Sequence, residues 1–307
     1  MELHQLDCFL AVLEEGSFNR AATRLHKTQP AISYQIKQLE EELGVSLFHR
    51  RARKISPTEA GRVLSQHALE VVDGVRRARQ AIERLSGGVA GEIRIGTVNS
   101  VGIHFLPEVL WKLREKFPAV RPTVTYRETP VIMEALLSNR LDLALIANPK
   151  PDRRLRQEVI IQERVSLVCG PSHPFFGRKA VRPSELKGLQ FVSLTPENPT
   201  GELVRDFLTR LGIDVEPVVS TANVETVKKM VEVGMGIAFL PDMVTAGDVS
   251  CNGDDTGRLA RIDVGPPLVR NIVLMTWKHV EPSPAFQAFA EELRARGKVW
   301  RGCLAKD

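Results

Sequence analysis

Between residues 27 and 44, KTQPAISYQIKQLEEELG, apolar side chains recur at Ile32, Ile36, Leu39 and Leu43, at spacings of four, three and four. That period places them on one buried stripe of a helix. The other side carries Gln29, Pro30, Ser33 and Lys37, with Tyr34 on the flank; Thr28 stands at the cap position, and Pro30 is tolerated in a first turn. Upstream, Ser17 caps a shorter helix whose inner side is Phe18, Ala22 and Leu25, and a turn through His26 and Lys27 leads into Thr28. Two helices joined by a tight turn make a helix-turn-helix. Downstream, LFHRRARKIS sets Arg50, Arg51, Arg53 and Lys54 among apolar Leu47, Phe48 and Ile55, the pattern of a small basic wing.

The next stretch, SPTEAG, starts another helix in which Ser56 is the cap, Pro57 the first position and Glu59 three residues after the cap, a capping-box spacing. From there Leu64, Ala68, Val71, Val75, Ala78, Ile82 and Leu85 alternate spacings of four and three, an a/d heptad seam. Such a seam pairs two copies of the chain, or packs as one amphipathic stripe on its own domain.

After Leu85 the glycine-rich SGGVAGE stops the helix, and the pattern changes to alternating strands and helices. EIRIGTV, TVTYRE and LDLALIA read as strands; LPEVLWKLREKF and VIMEALLSN read as helices between them. A second set begins near Val165, with strands VSLVC, QFVSL, VEPVV and GIAFLP and helices GELVRDFLTRLG and VETVKKMVEVG. The final NIVLMTW and AFQAFAEELRAR have no partner set of their own, so they are expected to return to the first lobe. The alternation predicts an α/β domain with a mainly parallel sheet.

Charge changes the picture of the N-terminal part. A helix dipole favours acids at its start and cations at its end, yet Glu40, Glu41 and Glu42 crowd the end of the 28–44 helix and no acid occurs between Glu15 and Glu40. Arg20, Arg24, Lys27 and Lys37 all fall in that interval. In a DNA-bound helix-turn-helix the start of the second helix lies against base edges in the major groove, where acids would face phosphates. Residues 1–86 hold 13 Lys and Arg against 11 Asp and Glu, a balance of only +2, so the placement of charge points to nucleic acid and not its total. A wing arginine can enter a minor groove, where the potential is most negative if the groove is narrow. The plain alternative is a helical hairpin whose basic face is merely solvated.

FLAVLEEGSFNRAATRLHKTQPAISYQIKQLEEELGVSLFHR followed by PTEAG resembles the N-terminal domain of the LysR-type transcriptional regulators. The resemblance is close over about the first 65 residues and looser beyond them. It implies that Gln29, Pro30, Ser33 and Tyr34 approach bases, that Thr28 and Lys37 hold phosphate, and that Arg53 is the wing arginine, with Arg50 beside it. Tyr34 departs from the arginine that many members carry there. The family's C-terminal part is a two-lobed domain like the periplasmic binding proteins. The expected fold class is therefore α/β with an N-terminal all-α winged helix-turn-helix and a two-lobed periplasmic-binding-protein-like regulatory domain. Expected boundaries are 1–58 for the DNA-binding domain, 59–86 for the dimerising linker helix, 87–91 for a hinge and 92–307 for the effector domain. Within the last, lobe I takes 92–163 and 268–307, and lobe II takes 164–267. Implied partners are a pseudo-palindromic double-stranded DNA operator, a second copy of the chain and, by resemblance, a tetramer and RNA polymerase.

In open α/β sheets, ligands bind beyond the carboxyl ends of strands, where helices begin. Four such junctions offer small polar groups: Asn99 and Ser100 in TVNS, Thr129 in ETP, Thr195, Pro199 and Thr200 in TPENPTG, and Asn223 in TANVE. Hydroxyls, amides and helix N-termini with few fixed charges suit a small anion such as a carboxylate, although Ser, Thr and Asn are ordinary helix caps as well. The resemblance sets effector contacts at Ser100, Thr129, Pro199 and Asn223.

Other signals narrow the function. No apolar run reaches membrane-spanning length, and MELHQLDCF lacks the cationic start and apolar core of a signal peptide, so a cytoplasmic protein without membrane attachment is expected. Cys8, Cys169, Cys251 and Cys303 are scattered, which suits reduced thiols. DVSCNG at 248–253 imitates the start of a calcium loop, but its twelfth position is Leu259 where a bidentate glutamate belongs. GMG at 234–236 lacks the third glycine of a dinucleotide motif and reads as a helix stop; His104, His173 and His279 are isolated; SHPFFG reads as a loop. No cofactor, metal or catalytic residue is expected. The reading is a transcriptional regulator whose DNA binding is controlled by a small anionic effector. Its rivals are an architectural DNA-binding protein without effector and, further off, an enzyme using the C-terminal lobes.

Overall fold

The computed structural model of the chain describes residues 1–51, 54–85, 88–248 and 257–304. They form two compact units, residues 1–87 with 138–140, and residues 88–137 with 141–307.

In the first unit, α1 (Leu3–Glu15), α2 (Phe18–Arg24) and α3 (Gln29–Leu43) precede a two-stranded wing, β1 (Phe48–Arg51) with β2 (Lys54–Pro57), and the long α4 (Glu59–Leu85). Ile32, Ile36 and Leu39 are fully buried against Phe9, Val12 and Ala21, contributing roughly 1.5–3 kcal/mol each in transfer from water. Leu43, expected in the same stripe, is 39 % exposed, because it sits on the last turn, past the end of this core. Gly44 follows it at φ 69°, the left-handed conformation that ends a helix.

Two capping expectations are corrected. Ser56 and Pro57 lie in β2, and the cap of α4 is Thr58, whose hydroxyl accepts from the Gly61 N–H at 3.0 Å. Pairing with β1 extends the wing through Pro57 and delays the helix by two residues. Thr28 occupies the cap position of α3, but its side chain makes no capping bond.

The heptad seam divides along α4. Leu64 and Ala68 pack into the core of their own unit, whereas Val71 is 47 % and Ile82 65 % exposed, and Ala78 is exposed too. Val75 is half-buried; the side chain of Leu85 lies outside what is described.

The second unit runs β3 (Gly91–Thr97), α5 (Asn99–His104), α6 (Leu106–Lys116), β4 (Val120–Tyr126), α7 (Thr129–Leu137), β5 (Leu143–Ala147) and β6 (Leu155–Cys169). It continues with β7 (Val192–Leu194), α8 (Pro199–Arg210), β8 (Val219–Thr221), α9 (Val224–Glu232), β9 (Ala238–Pro241), α10 (Asp242–Thr245), β10 (Ala260–Ile262), β11 (Val269–Trp277) and α11 (Pro284–Leu304). The main sheet follows the order β10-β6-β11-β5-β3-β4, with β9 also on β6; β7 and β8 form a separate pair.

This sheet is mixed, not mainly parallel. Pairs β3–β4, β3–β5 and β7–β8 are parallel, but β11 runs antiparallel to β5 and β6, and β6 antiparallel to β9 and β10. The reason is that β11 returns from the second half and enters the first sheet from the opposite end. The unbroken 15-residue β6 serves both halves, its start paired with β11 and its end with β9 and β10. The strand expected from VEPVV is reduced to Val219–Thr221, since Pro217 has no N–H to give a ladder. The helix expected over LPEVLWKLREKF is preceded by the short α5, which starts at the TVNS junction. GMG does follow the end of α9, with Gly234 at φ 82°, and SHPFFG is a run of turns.

Candidate nucleic-acid face and ligand cleft

The first turns of α3 present a polar, acid-free surface. Pro30, Tyr34 and Lys37 are exposed, and Gln29 and Ser33 half-buried. Because the Thr28 hydroxyl makes no bond to its own helix, it remains a donor for an outside acceptor. The Tyr34 hydroxyl accepts from Gln38 Nε2 at 2.8 Å, and Lys37 leans back 3.5 Å from Glu41. The acids at the rear of the helix have a structural use as well. Glu40 Oε1 accepts from the Leu47 and Phe48 N–H groups at 2.7 and 3.3 Å, fixing the entry into the wing. In the wing, Arg50 pairs in register with Ile55 and Arg51 with Lys54. Arg53 lies outside the described residues, as does the side chain of Arg50.

In the second unit a cleft of about 300 Å³ opens where four helices begin. Asn99, Ser100, Thr129, Pro199, Thr200 and Asn223 all line it. Ser100 and Thr200 are the second residues of α5 and α8, Thr129 is the first of α7, and Asn223 caps α9. The helix starts supply N–H groups and the positive end of a dipole equivalent to roughly half a charge. Thr195 does not line the cleft; its carbonyl instead closes the turn before α8 on the Asn198 N–H at 3.0 Å. Asn198 is the actual cap, accepting from Thr200 N and Gly201 N at 2.9 and 3.4 Å. Asn223 does both jobs expected of such a residue. Its side chain accepts from Glu225 N at 2.9 Å, and it faces the cleft.

The floor carries a fixed charge that the junctions did not suggest. Arg270, 3 % exposed on β11, donates from Nε to Glu163 Oε1 at 2.7 Å, from Nη1 to the Thr200 hydroxyl at 3.2 Å and from Nη2 to the Ser100 hydroxyl at 3.1 Å. Glu163, 1 % exposed on β6, also accepts from the Met243 N–H at 3.0 Å. A guanidinium has no acceptor atom, so both hydroxyls must act as its acceptors, and each keeps its own proton to donate. The floor is thus a pair of donors backed by a compensated cation. Arg127, Glu128 and Glu197 lie at its exposed edge.

Two more polar links join the halves. His104 at the end of α5 meets Glu225 of α9 at 2.7 Å, and Lys150 meets Glu202 of α8 at 3.6 Å. Burial pushes the Glu225 carboxyl up, but the His104 hydrogen bond and the Lys228 charge outweigh it and hold the group below its ordinary range. His104, isolated in sequence, has its partner 121 residues away.

Among the described residues no group of His, Cys, Asp and Glu could hold a metal, and no helix is long and apolar enough to cross a membrane. The segment 249–256, which contains most of DVSCNG, lies outside the described residues; Leu259 is fully buried. Cys8 and Cys169 are buried free thiols, and burial pushes Cys169 up to about 11.

Comparison with known proteins places both units. The family model described as the bacterial regulatory helix-turn-helix protein, lysR family, matches residues 3–62, and that of the LysR substrate binding domain matches residues 86–298. The RuBisCO operon transcriptional regulator of Acidithiobacillus ferrooxidans is 30 % identical over 299 residues, 95 % of this chain and 93 % of that one. The hydrogen peroxide-inducible genes activator of Pectobacterium carotovorum subsp. carotovorum is 30 % identical over 241 residues, 78 % of this chain and 80 % of that one. Among solved structures, full-length OxyR from Pseudomonas aeruginosa superposes with a TM-score of 0.72 at 21 % identity, covering 97 % of this chain and 95 % of that one. Full-length CbnR in complex with its target DNA superposes at 0.69 with 24 % identity, covering 96 % and 100 %.

Proposed function

The chain belongs to the LysR family of transcriptional regulators, and from that premise we propose that its effector is a small carboxylate held on the floor of the cleft. The observation that carries this reading is the orientation Arg270 imposes on Ser100 and Thr200. Both hydroxyls are committed as acceptors to the guanidinium and so offer protons inward, where a ligand rich in acceptors fits and a donor-only ligand does not. The Thr129 hydroxyl, with no hydrogen-bond partner among the described residues, and the N-terminus of α7 add further donors. Arg270 itself is already neutralised by Glu163 and acts by orienting these donors.

At the other unit, Gln29, Pro30, Ser33 and Tyr34 face bases, and Thr28 and Lys37 face phosphate. The exposed Val71, Ala78 and Ile82 form the face for a second copy, whereas Leu64 and Ala68 are used within the chain. The protein performs no catalysis in this reading. Sensing of peroxide by a thiol, which the name of the Pectobacterium relative brings to mind, is disfavoured: no cysteine is among the described residues lining the cleft, and Cys8 and Cys169 are buried with raised pKa values.

The test is calorimetry with a panel of small mono- and dicarboxylates and their amides, on the wild-type chain and on Ser100→Ala. Acids that bind the wild type and lose affinity in the variant, with the amides silent, support the proposal. Equal binding of acid and amide refutes the carboxylate assignment.

A further inference from the structure

A second cavity, of about 260 Å³, lies in the same unit under α8. Phe191, Leu208, Ile213 and Phe239, each less than a tenth exposed, form its apolar wall. The space opens to solvent between the exposed Pro196, Arg205, Thr209 and Asp214, so a small molecule can enter it. Its edge is polar at one point, where Ser193 is half-buried and Ser220 exposed. Ser193 and Ser220 are direct partners in the parallel β7–β8 register, so their side chains leave the same face of that pair, and neither hydroxyl has a partner among the described residues. At the rim stands Arg205, its Nη2 bonded to the Pro196 carbonyl at 3.4 Å, and Asp214 shares that rim.

We propose that this cavity is a second ligand site, for a small monocarboxylic acid with an apolar body, and that its occupancy is felt in the cleft through α8. The apolar wall takes the body; Arg205 and the two hydroxyls take one carboxylate. Asp214 repels a second acid group, which separates this site from one for diacids. The two cavities share a wall. Leu194 lines both, and α8 places Pro199 and Thr200 in the cleft, with Val204, Arg205 and Leu208 in the second cavity. The first turn of α8 is seated directly on the end of β7, where a Cβ on Gly201 would stand 2.6 Å from the Thr195 carbonyl oxygen. A ligand that shifts α8 therefore shifts the Thr200 hydroxyl against Arg270. The coupling rests on the cleft reading above; the binding does not.

The probe is 3-phenylpropionate, with 3-phenylpropanol as its neutral counterpart, titrated by calorimetry into the full-length chain. The acid should bind wild type and Ser100→Ala alike, and lose about tenfold or more in Val204→Trp, which fills the cavity from its half-buried wall. Arg205→Met should weaken the acid several-fold and leave the alcohol unchanged, which keeps the proposal testable if Val204→Trp fails to fold. Saturation with the acid in Ser100→Ala should slow amide exchange at Thr200, on the cleft side of α8, as well as at Val204. No binding up to roughly 10 mM, the weak end of measurable affinity, overturns the site. Binding lost in Ser100→Ala but kept in Val204→Trp does so too, by moving the probe to the cleft. An equal loss of acid and alcohol in Arg205→Met overturns the carboxylate assignment, and unchanged exchange at Thr200 overturns the coupling.

Discussion

Arg270 and Glu163 are direct cross-strand partners on β11 and β6, and the same guanidinium reaches Ser100 in one half of the second unit and Thr200 in the other. One buried ion pair thus sits on the two strands that connect the halves and holds a hydroxyl from each.

Removing one member of that pair strands the other. Arg270→Met should cost about 3–5 kcal/mol by leaving Glu163 charged and buried, whereas Arg270→Met with Glu163→Met should recover most of it. Trp111, Trp277 and Trp300 are the chain's three tryptophans and all lie in this unit, so urea unfolding followed by tryptophan fluorescence reads it alone. Equal destabilisation in single and double variants would show that the pair is not what holds the site.

Thr129→Val keeps the shape of the side chain and removes a donor to the proposed ligand. A hydrogen bond to a charged group is worth roughly 1.5–3 kcal/mol, so effector affinity should fall about tenfold to a hundredfold. DNA binding without effector should be unchanged in a gel shift on the same preparation. An unaltered dissociation constant in both Thr129→Val and Ser100→Ala would move the site elsewhere.

On the DNA side, Ser33→Asp puts a negative charge on the half-buried middle of the recognition surface and should abolish operator binding. Lys37→Ala should weaken operator and random DNA alike and lower the salt slope by about one unit. The two variants are compared by fluorescence anisotropy at several salt concentrations. A parallel loss on both DNAs in both variants would contradict the division between base and phosphate contacts.

Along α4, Ile82→Asp alters a side chain that is 65 % exposed, and so should lower the oligomeric state without unfolding the domain. Ala68→Asp, in contrast, places a charge in the domain's own core and should unfold it. Light scattering and circular dichroism separate these outcomes. An unchanged mass for Ile82→Asp at micromolar concentration removes this end of the seam from any interface.

The His104–Glu225–Lys228 cluster gives a pH dependence with a definite sign. The Glu225 carboxyl has a folded-state pKa below its ordinary 4.5, so its stabilisation is complete above about that pH and is lost as pH falls through the lowered value. Lys228 is raised: burial opposes it, but bonds to Asp248 and Glu225 prevail, so its contribution is complete below 10.5 and is lost above it. The stability advantage of wild type over Glu225→Gln should therefore be flat around neutrality and shrink on acidification below about 4.5. An advantage that grows as pH drops would contradict the assignment.

Much of this was legible because period is a local property. The Ile32, Ile36 and Leu39 stripe, the helix-turn-helix and most strands follow from spacing alone, and the strand-end rule placed six of seven ligand candidates in one cleft. Thr195 stands apart from the other six because its carbonyl closes the turn before α8, a use that its position in TPENPTG does not disclose. Arg270 escaped for a related reason. The strand NIVLMTW was read from Asn271, one residue past it, and nothing in Leu268-Val269-Arg270 says that the guanidinium points inward to a glutamate 107 residues earlier. The second cavity was invisible too, since Ser193 and Ser220 become neighbours only once β7 and β8 pair. Exposure along α4 required knowing which part of the seam its own domain had already consumed.

The long strand β6 leaves the first half at Val165, and the chain returns at Leu268, where the Val165 N–H meets the Leu268 carbonyl at 2.8 Å. Everything between those residues is, topologically, one enlarged hairpin loop. Its ends are already stitched together, so residues 166–267 could be exchanged for those of a relative that keeps this closing bond and the partners Thr200, Glu225 and Met243 offer to Arg270, His104 and Glu163. A lineage can therefore trade one wall of its sensing cleft by a single recombination event while β3, β4, β5 and β11 keep their register. In this architecture a new chemical specificity is reached by replacing a cassette, and the strand that carries Arg270 stays behind to receive it.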